Sequence, residues 1–141
     1  MALSKKSKTD LENLIPNSHA NKEALISLCD MYGNSEIIDL AKEKFSYIEN
    51  ANNSLSHLEE VVKELKNKDQ ITLHVDLGEI QGFKYHNGIV FSAYSDAAGY
   101  VLAKGGRYDG LRKFSDQDRP AVGFDLDSVS YTHLRAHETR S

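Results

Sequence analysis

One cysteine, two prolines and no long apolar run set the first limits on this chain. Cys29 alone cannot form an internal disulfide. Its neighbours Leu25, Ile26 and Leu28 fall in a helical pattern, which predicts a buried thiol and suits a reducing cytoplasm. No window approaches the ~20 apolar residues that a bilayer-spanning helix needs. The stretch MALSKKSKTDLENLI lacks the roughly 7–15-residue apolar core of a secretion signal, so a cytoplasmic protein is expected. Basic residues are not in excess: 17 Lys and Arg against 21 Asp and Glu give a net charge of −4. That balance argues against a general nucleic-acid binder, which presents a basic face. Neither the GxxxxGK(S/T) phosphate loop nor the dinucleotide pattern GxGxxG occurs.

What is present fits a soluble globular protein. Hydrophobic residues make up 40% and charged residues 27% of 141 positions. That length amounts to one domain or a piece of a larger one. A compact domain of this size buries roughly 68–70% of its unfolded surface, enough to be stable without a disulfide or a metal.

Residues 1–67 carry helical periodicity. Thr9 or Asp10 is placed to cap a short helix with Leu11, Leu14 and Ile15 on one face, stopped by Pro16. Leu25, Leu28, Cys29 and Tyr32 repeat at helical spacing up to Gly33. Ser35 precedes SEIIDLAKEKF, in which Ile37, Ile38, Leu40, Ala41 and Phe45 mark a face. The most regular stripe, Leu55, Leu58, Val61, Val62 and Leu65, predicts a helix from about Ser54 to Lys66. There, Glu59 and Glu60 pair with Lys63 on the solvent side. These helices hold no metal-ligand spacing and no nucleophile–base pair. His19 and His57 read as exposed or packed residues rather than ligands.

Beyond Asn67-Lys68-Asp69 the period changes to two. Ile71, Leu73 and Val75 alternate with Thr72, His74 and Asp76, as in a half-buried strand with His74 toward solvent. Gly78 and Gly82 imply a turn or a close backbone approach. Phe83 to Tyr94 predicts a long strand with Ile89, Val90 and Phe91 at its buried centre. A five-residue connection then returns the chain through Tyr100 to Lys104 as an antiparallel partner. Gly105-Gly106 is expected to break that strand, with Arg107-Tyr108-Asp109-Gly110-Leu111 as a turn or helix start. A polar loop from Lys113 to Arg119 leads into a short strand from Pro120 to Phe124.

The stretch Asp76–Asp127 is where chemistry can lie. Strand-edge glycines serve backbone geometry, but they also let a backbone approach a ligand. Arg107 offers a bidentate grip on a carboxylate or phosphate, or else a structural ion pair with Asp109. Tyr85 and His86 alternate across the strand, so only one can face a given side. His86 is not flanked by an obvious nucleophile, which argues against a hydrolytic triad.

The order GxxYHxGIVFxAY, hairpin, GGRYDxL, loop and PAxGF resembles the catalytic core of class II histidyl-tRNA synthetases over roughly residues 70–127. The fold it implies is α+β, a partial class II aminoacyl-tRNA synthetase-like antiparallel sheet preceded by a helical segment. The expected divisions are 1–69, 70–128 and a tail, 129–141. Synthetases read RGLDYYxxTVFE at the first motif, where the arginine contacts histidine and the reacting carboxylate. This chain has Gln81-Gly82-Phe83-Lys84-Tyr85-His86 there, and GFDLD replaces GFxxGLER. Gln81 removes the permanent charge expected to stabilise the reacting group.

Those departures, with DLGE and YHxGIVFxAY, resemble the regulatory subunits of ATP phosphoribosyltransferase, synthetase-like proteins without catalysis of their own. The resemblance implies a short-form catalytic subunit as partner in a hetero-oligomer and histidine as allosteric ligand. It implies no tRNA, cofactor, metal or membrane, and no catalytic residue. Gln81, Tyr85, His86, Gly105, Gly106 and Arg107 are the implied histidine-binding candidates. A divergent histidyl-tRNA synthetase and a stand-alone histidine-binding module are the alternatives.

The family's first two class-defining motifs would lie upstream, so Met1 is expected to be an internal methionine of a longer protein. Past Asp127 an apolar helix is expected, but SVSYTHLRAHETRS has no such pattern. YTHLRAHETRS resembles translated sequencing adapter, and about Val129–Ser141 is therefore set aside. His133 and His137, spaced i, i+4 as in some metal sites, fall within that tail.

Overall fold

The computed structural model describes residues 6–68, 70–79, 88–95, 101–109 and 120–127. The chain divides into two units, Met1–Gln81 and Gly82–Ser141.

The first unit is helical. Helix α1 (Lys8–Leu14) is capped not by Thr9 or Asp10 but by Ser7, whose hydroxyl accepts from the Asp10 N–H. Helix α2 (Lys22–Ser27) gives way to a 3-10 turn (Leu28–Asp30). The helical spacing read through Tyr32 therefore fails at its end, because Tyr32 enters a short strand, β1 (Tyr32–Gly33). Helix α3 (Ile37–Lys44) lacks a side-chain cap from Ser35. Instead Asn34 turns the chain, its Oδ1 accepting from the Glu36 N–H at 3.0 Å. Helix α4 runs Glu49–Lys66, starting a turn earlier than the apolar stripe suggested. Asn and Ser are weak helix formers, but Ile48 and Ala51 pack on the core and hold that first turn in register.

The core lies between these helices. Ala24, Met31, Ala41, Phe45 and Leu55 form one buried cluster, and Ile38, Val62 and Val75 another. Each large side chain removed from water contributes roughly 1.5–3 kcal/mol before ordering costs. Cys29 is buried, as its surroundings predicted. Lys42 on α3 donates to Glu59 on α4 at 2.6 Å, tying the two helices at their rim.

The strand expected across 71–76 shrinks to β2 (Val75–Asp76), antiparallel to β1. β1 is two residues long, so only Val75 and Asp76 find ladder partners. Asp76 anchors this corner: Lys6 donates to its Oδ2 at 2.6 Å, and its Oδ1 accepts from the Gly78 N–H at 3.0 Å. A Cβ at Gly78 would stand 2.7 Å from the Leu28 carbonyl oxygen, the close approach that the glycine suggested. His74 is exposed, its ring 6.3 Å from that of Tyr32.

The second unit contains a three-stranded antiparallel sheet in the order β3 (Val90–Tyr94), β4 (Val101–Asp109), β5 (Pro120–Leu126). Gly105-Gly106 does not break β4. Both glycines are paired on both sides, to Phe91 and Val90 of β3 and to Phe124 and Gly123 of β5. Two ladders outweigh the weak strand propensity of glycine. The Phe91 side chain, expected at a buried centre, is 42% exposed.

Candidate functional site

Of the expected histidine-binding residues, Gln81, Tyr85 and His86 lie outside the described residues, as do Phe83, Lys84 and Gly82. Gly105, Gly106 and Arg107 fall consecutively on β4, the central strand, which fixes their directions. Successive strand residues point to opposite faces, so Gly106 cannot share a face with Gly105 and Arg107.

The Gly105 face is filled at that point. A Cβ there would lie 2.6 Å from the Phe124 Cβ, 2.8 Å from Phe91 Cε1 and 2.5 Å from the Gly123 carbonyl oxygen. Those distances are well inside van der Waals contact, so glycine is needed to let the two phenylalanines close over the strand. Arg107 lies on this same side. Its N–H donates to the Ile89 carbonyl at 2.9 Å, and its stem runs beside Gly88, where a Cβ would be 3.1–3.3 Å away.

The Gly106 face is built differently. Val90, Gly106 and Gly123 form one cross-strand row, and Ser92, Lys104 and Asp125 form the next. Tyr108, two residues along β4 from Gly106, leans diagonally over Gly123: Cε1 and the hydroxyl lie 3.1 and 3.2 Å from where a Cβ would be. The face thus has two adjacent glycines, of which Gly106 is buried, a phenol beside them, and Lys104 opposite Asp125 one row away. Lys104 and Asp125 are both exposed and make no ion pair with each other. Gly123, Tyr108, Lys104 and Asp125, which the register brings beside Gly106, are not among the residues singled out from sequence. The signal was the alternation within LAKGGRYD and PAVGFDLD, but it becomes usable only when the strand register says who stands opposite whom.

Arg107, Tyr108, Lys104 and Asp125 bring charges and a phenol hydroxyl to the two faces of this sheet, groups able to bind a polar ligand. The described sheet residues include no His or Cys to serve as base or thiol nucleophile. Among the described residues no group of three or more His, Cys, Asp or Glu is placed to hold a metal ion. No described helix is long and apolar enough to cross a membrane.

Helices followed by an antiparallel sheet with GGRYD on its central strand define an α+β fold of the class II aminoacyl-tRNA synthetase kind. A solved structure described as an ATP phosphoribosyltransferase regulatory subunit/histidyl-tRNA synthetase from Bacillus halodurans has the same fold. It superposes with a TM-score of 0.65 at 23% identity, covering 89% of this chain and 34% of its own. The profile of the histidyl-tRNA synthetase family matches residues 1–129, and the chain belongs to that family. Its relatives include proteins named ATP phosphoribosyltransferase regulatory subunit. That of Nitrosospira multiformis is 35% identical over 84% of this chain and 30% of its own length. That of Thioalkalivibrio sulfidiphilus is 36% identical over 80% and 29%. The chain therefore spans about three tenths of the length of these relatives.

Proposed function

We propose that this chain is the part of an ATP phosphoribosyltransferase regulatory subunit that carries the back of a synthetase-type amino-acid site. It acts in histidine biosynthesis without catalysing a reaction itself. The observation that carries this reading is the identity to proteins bearing that name over four fifths of the chain. Gln81, where the synthetase pattern has arginine, agrees with it: an amide cannot supply a permanent charge to a reacting carboxylate.

In this reading the partner is a short-form catalytic subunit, which joins ATP to phosphoribosyl pyrophosphate with release of pyrophosphate. Histidine is the allosteric ligand, and the complex is cytoplasmic and binds no tRNA. Feedback requires that histidine bind the inactive assembly more tightly than the active one, since a ligand shifts an equilibrium only by its differential affinity. Gly105, Gly106 and Arg107 contribute to the site from β4, and Gln81, Tyr85 and His86 are further candidates by resemblance. The helical segment 1–69 and the sheet-bearing segment 70–128 are native sequence in this proposal, and 129–141 is not.

The test uses the full-length protein. Co-purification with a short-form catalytic subunit, higher phosphoribosyl transfer in the mixture and loss of that activity on adding histidine are the expected results. No association and unchanged transfer would overturn the reading. The family profile is that of a synthetase, so the same protein is also assayed for histidine-dependent ATP–pyrophosphate exchange. Exchange would replace the regulator by a divergent enzyme.

A further inference from the structure

Two residues 70 positions apart meet at one corner of the helical unit, where the Lys6 ammonium donates to Oδ2 of Asp76 at 2.6 Å. Lys6 stands just ahead of α1, and Asp76 lies on β2, after which the chain leaves the unit at Gln81. We propose that the Asp76 carboxylate couples the two ends of this unit. A displacement of the chain at Lys6 is then felt in the turn at Gly78 without passing through the helices between them.

The carboxylate has one oxygen for each end. Oδ2 receives Lys6, and Oδ1 accepts from the Gly78 N–H at 3.0 Å, closing the turn by which the chain leaves β2. An aspartate oxygen bonded to the backbone N–H two residues on fixes such a turn locally. A carboxylate rotates as a rigid plane, so its two oxygens cannot reorient separately. Losing Lys6 therefore frees the torsion that aims Oδ1 at Gly78. The turn is otherwise closely seated. A Cβ at Gly78 would stand 2.7 Å from the Leu28 carbonyl oxygen, and the preceding Leu77 N–H donates to the Met31 carbonyl at 2.9 Å.

The Lys6 end is held against its own backbone preference. Lys6 has a φ of 52°, in the left-handed region, which a residue with a Cβ keeps only where its surroundings over-determine it. Two neighbours do so here. Tyr32 and Asp76 are opposite partners in the β1–β2 ladder. The ammonium lies 4.0 Å from the centre of the Tyr32 ring while it is bonded to Asp76. The Lys6 and Asp76 side chains are 32% and 21% exposed, which shields the pair partly from salt. Ring, ammonium and carboxylate form a clasp, and its closed and open forms are the two states whose balance either end can bias.

Amide hydrogen exchange of the full-length protein, read residue by residue, tests the coupling. Lys6→Met should speed exchange at Gly78 by about 2- to 5-fold, the scale of a partly exposed ion pair. Lys6→Arg keeps a cation for both Asp76 and Tyr32 and should restore the wild-type rate. Added salt should speed Gly78 in the wild type but not in Lys6→Met. Asp76→Ala should speed it more, and adding Lys6→Met to Asp76→Ala should change nothing further, because both act through one carboxylate. Lys8→Met removes the Lys8–Asp30 ion pair of the same unit and should leave Gly78 unchanged. An unchanged Gly78 rate in Lys6→Met would mean that the two ends are independent and would overturn the proposal. So would an acceleration shared equally by the amide of buried Val62 in α4, which would show that Lys6 adds only global stability.

Discussion

Ile38 in the helical unit and Phe124 in the sheet unit are both large apolar side chains within regular elements, yet they are 2% and 70% exposed. The contrast extends to the neighbours. The buried hydrophobic residues among those described run from Leu11 to Val75, all in the first unit, while Phe91, Val122, Phe124 and Leu126 stand open on the sheet. Helices α3 and α4 solve their own packing problem, stripe against stripe. A sheet cannot do so: its ladder satisfies the backbone, but each apolar face needs a second layer. Hydrogen bonding and hydrophobic burial, which accompany each other in the helical unit, thus part company among the described residues of the sheet unit.

The sharpest test of that contrast is a pair of truncations. Ile38→Ala should cost about 2–4 kcal/mol, lost transfer energy plus a residual cavity. Phe124→Ala should cost far less, since most of its surface is already in water. Chemical denaturation followed by circular dichroism measures both, and equal costs would mean that the Phe124 face is covered in solution.

Next in size is Gly105→Ala. The added methyl meets the backbone oxygen of Gly123 and the Cβ of Phe124, neither of which can swing aside, so a loss of about 1–3 kcal/mol is expected. For Gly123→Ala the nearest atoms belong to the ring of Tyr108, at 3.1 Å and beyond, a milder contact that should cost less. Amide hydrogen exchange along β4 reads the difference directly, and the order of the two variants is the result that matters.

Smaller still is the effect of Phe124→Ser on folding, expected within about 0.5 kcal/mol as for other exposed positions. Its effect on association should be larger. Contiguous apolar surface promotes self-association, so the 141-residue chain should sediment as aggregates, and the serine variant should reduce them. A wild-type chain that remains a monomer with a cooperative thermal transition would count against this.

These comparisons also show what the sequence could tell. Helix periodicity was legible because Leu55 and Val62 meet a core on the stripe where spacing put them, and Cys29 was placed by its apolar neighbours. The strands were legible as strands, but the behaviour of Gly105-Gly106 was not. Glycine pairs usually end strands, and only the presence of ladders on both sides overrides that preference. The apolar run IVF implied burial for Phe91, because propensity reports a face that seeks cover without saying whether cover is present. For the candidate site, motif resemblance located the strand and the glycines. It could not say which glycine faces which side, since that depends on register between residues about twenty positions apart.

The smallest effect concerns the rim of the well-packed half, where one partner was visible in sequence and the other was not. Lys63 stands i, i+4 from Glu59 and lies 3.5 Å from it, but the closer partner is Lys42 of α3, at 2.6 Å. The hydrogen bond from Lys42, aided by the charges of Lys42 and Lys63, holds the Glu59 carboxyl below its ordinary value of 4.5. A carboxyl whose value is lower folded than unfolded adds stability above the unfolded value. It loses that contribution as pH falls through the folded value. Wild type should therefore melt slightly above Glu59→Gln near neutral pH, and the gap should close as pH drops below 4.5. Both residues are about one-third exposed, so salt should shrink the gap as well. Lys42→Met should abolish most of the pH dependence of the difference while Lys63→Met leaves most of it, because the shorter contact provides the larger share. A gap that persists unchanged into acid would show that Glu59 contributes through its packing against α3 and not through its charge.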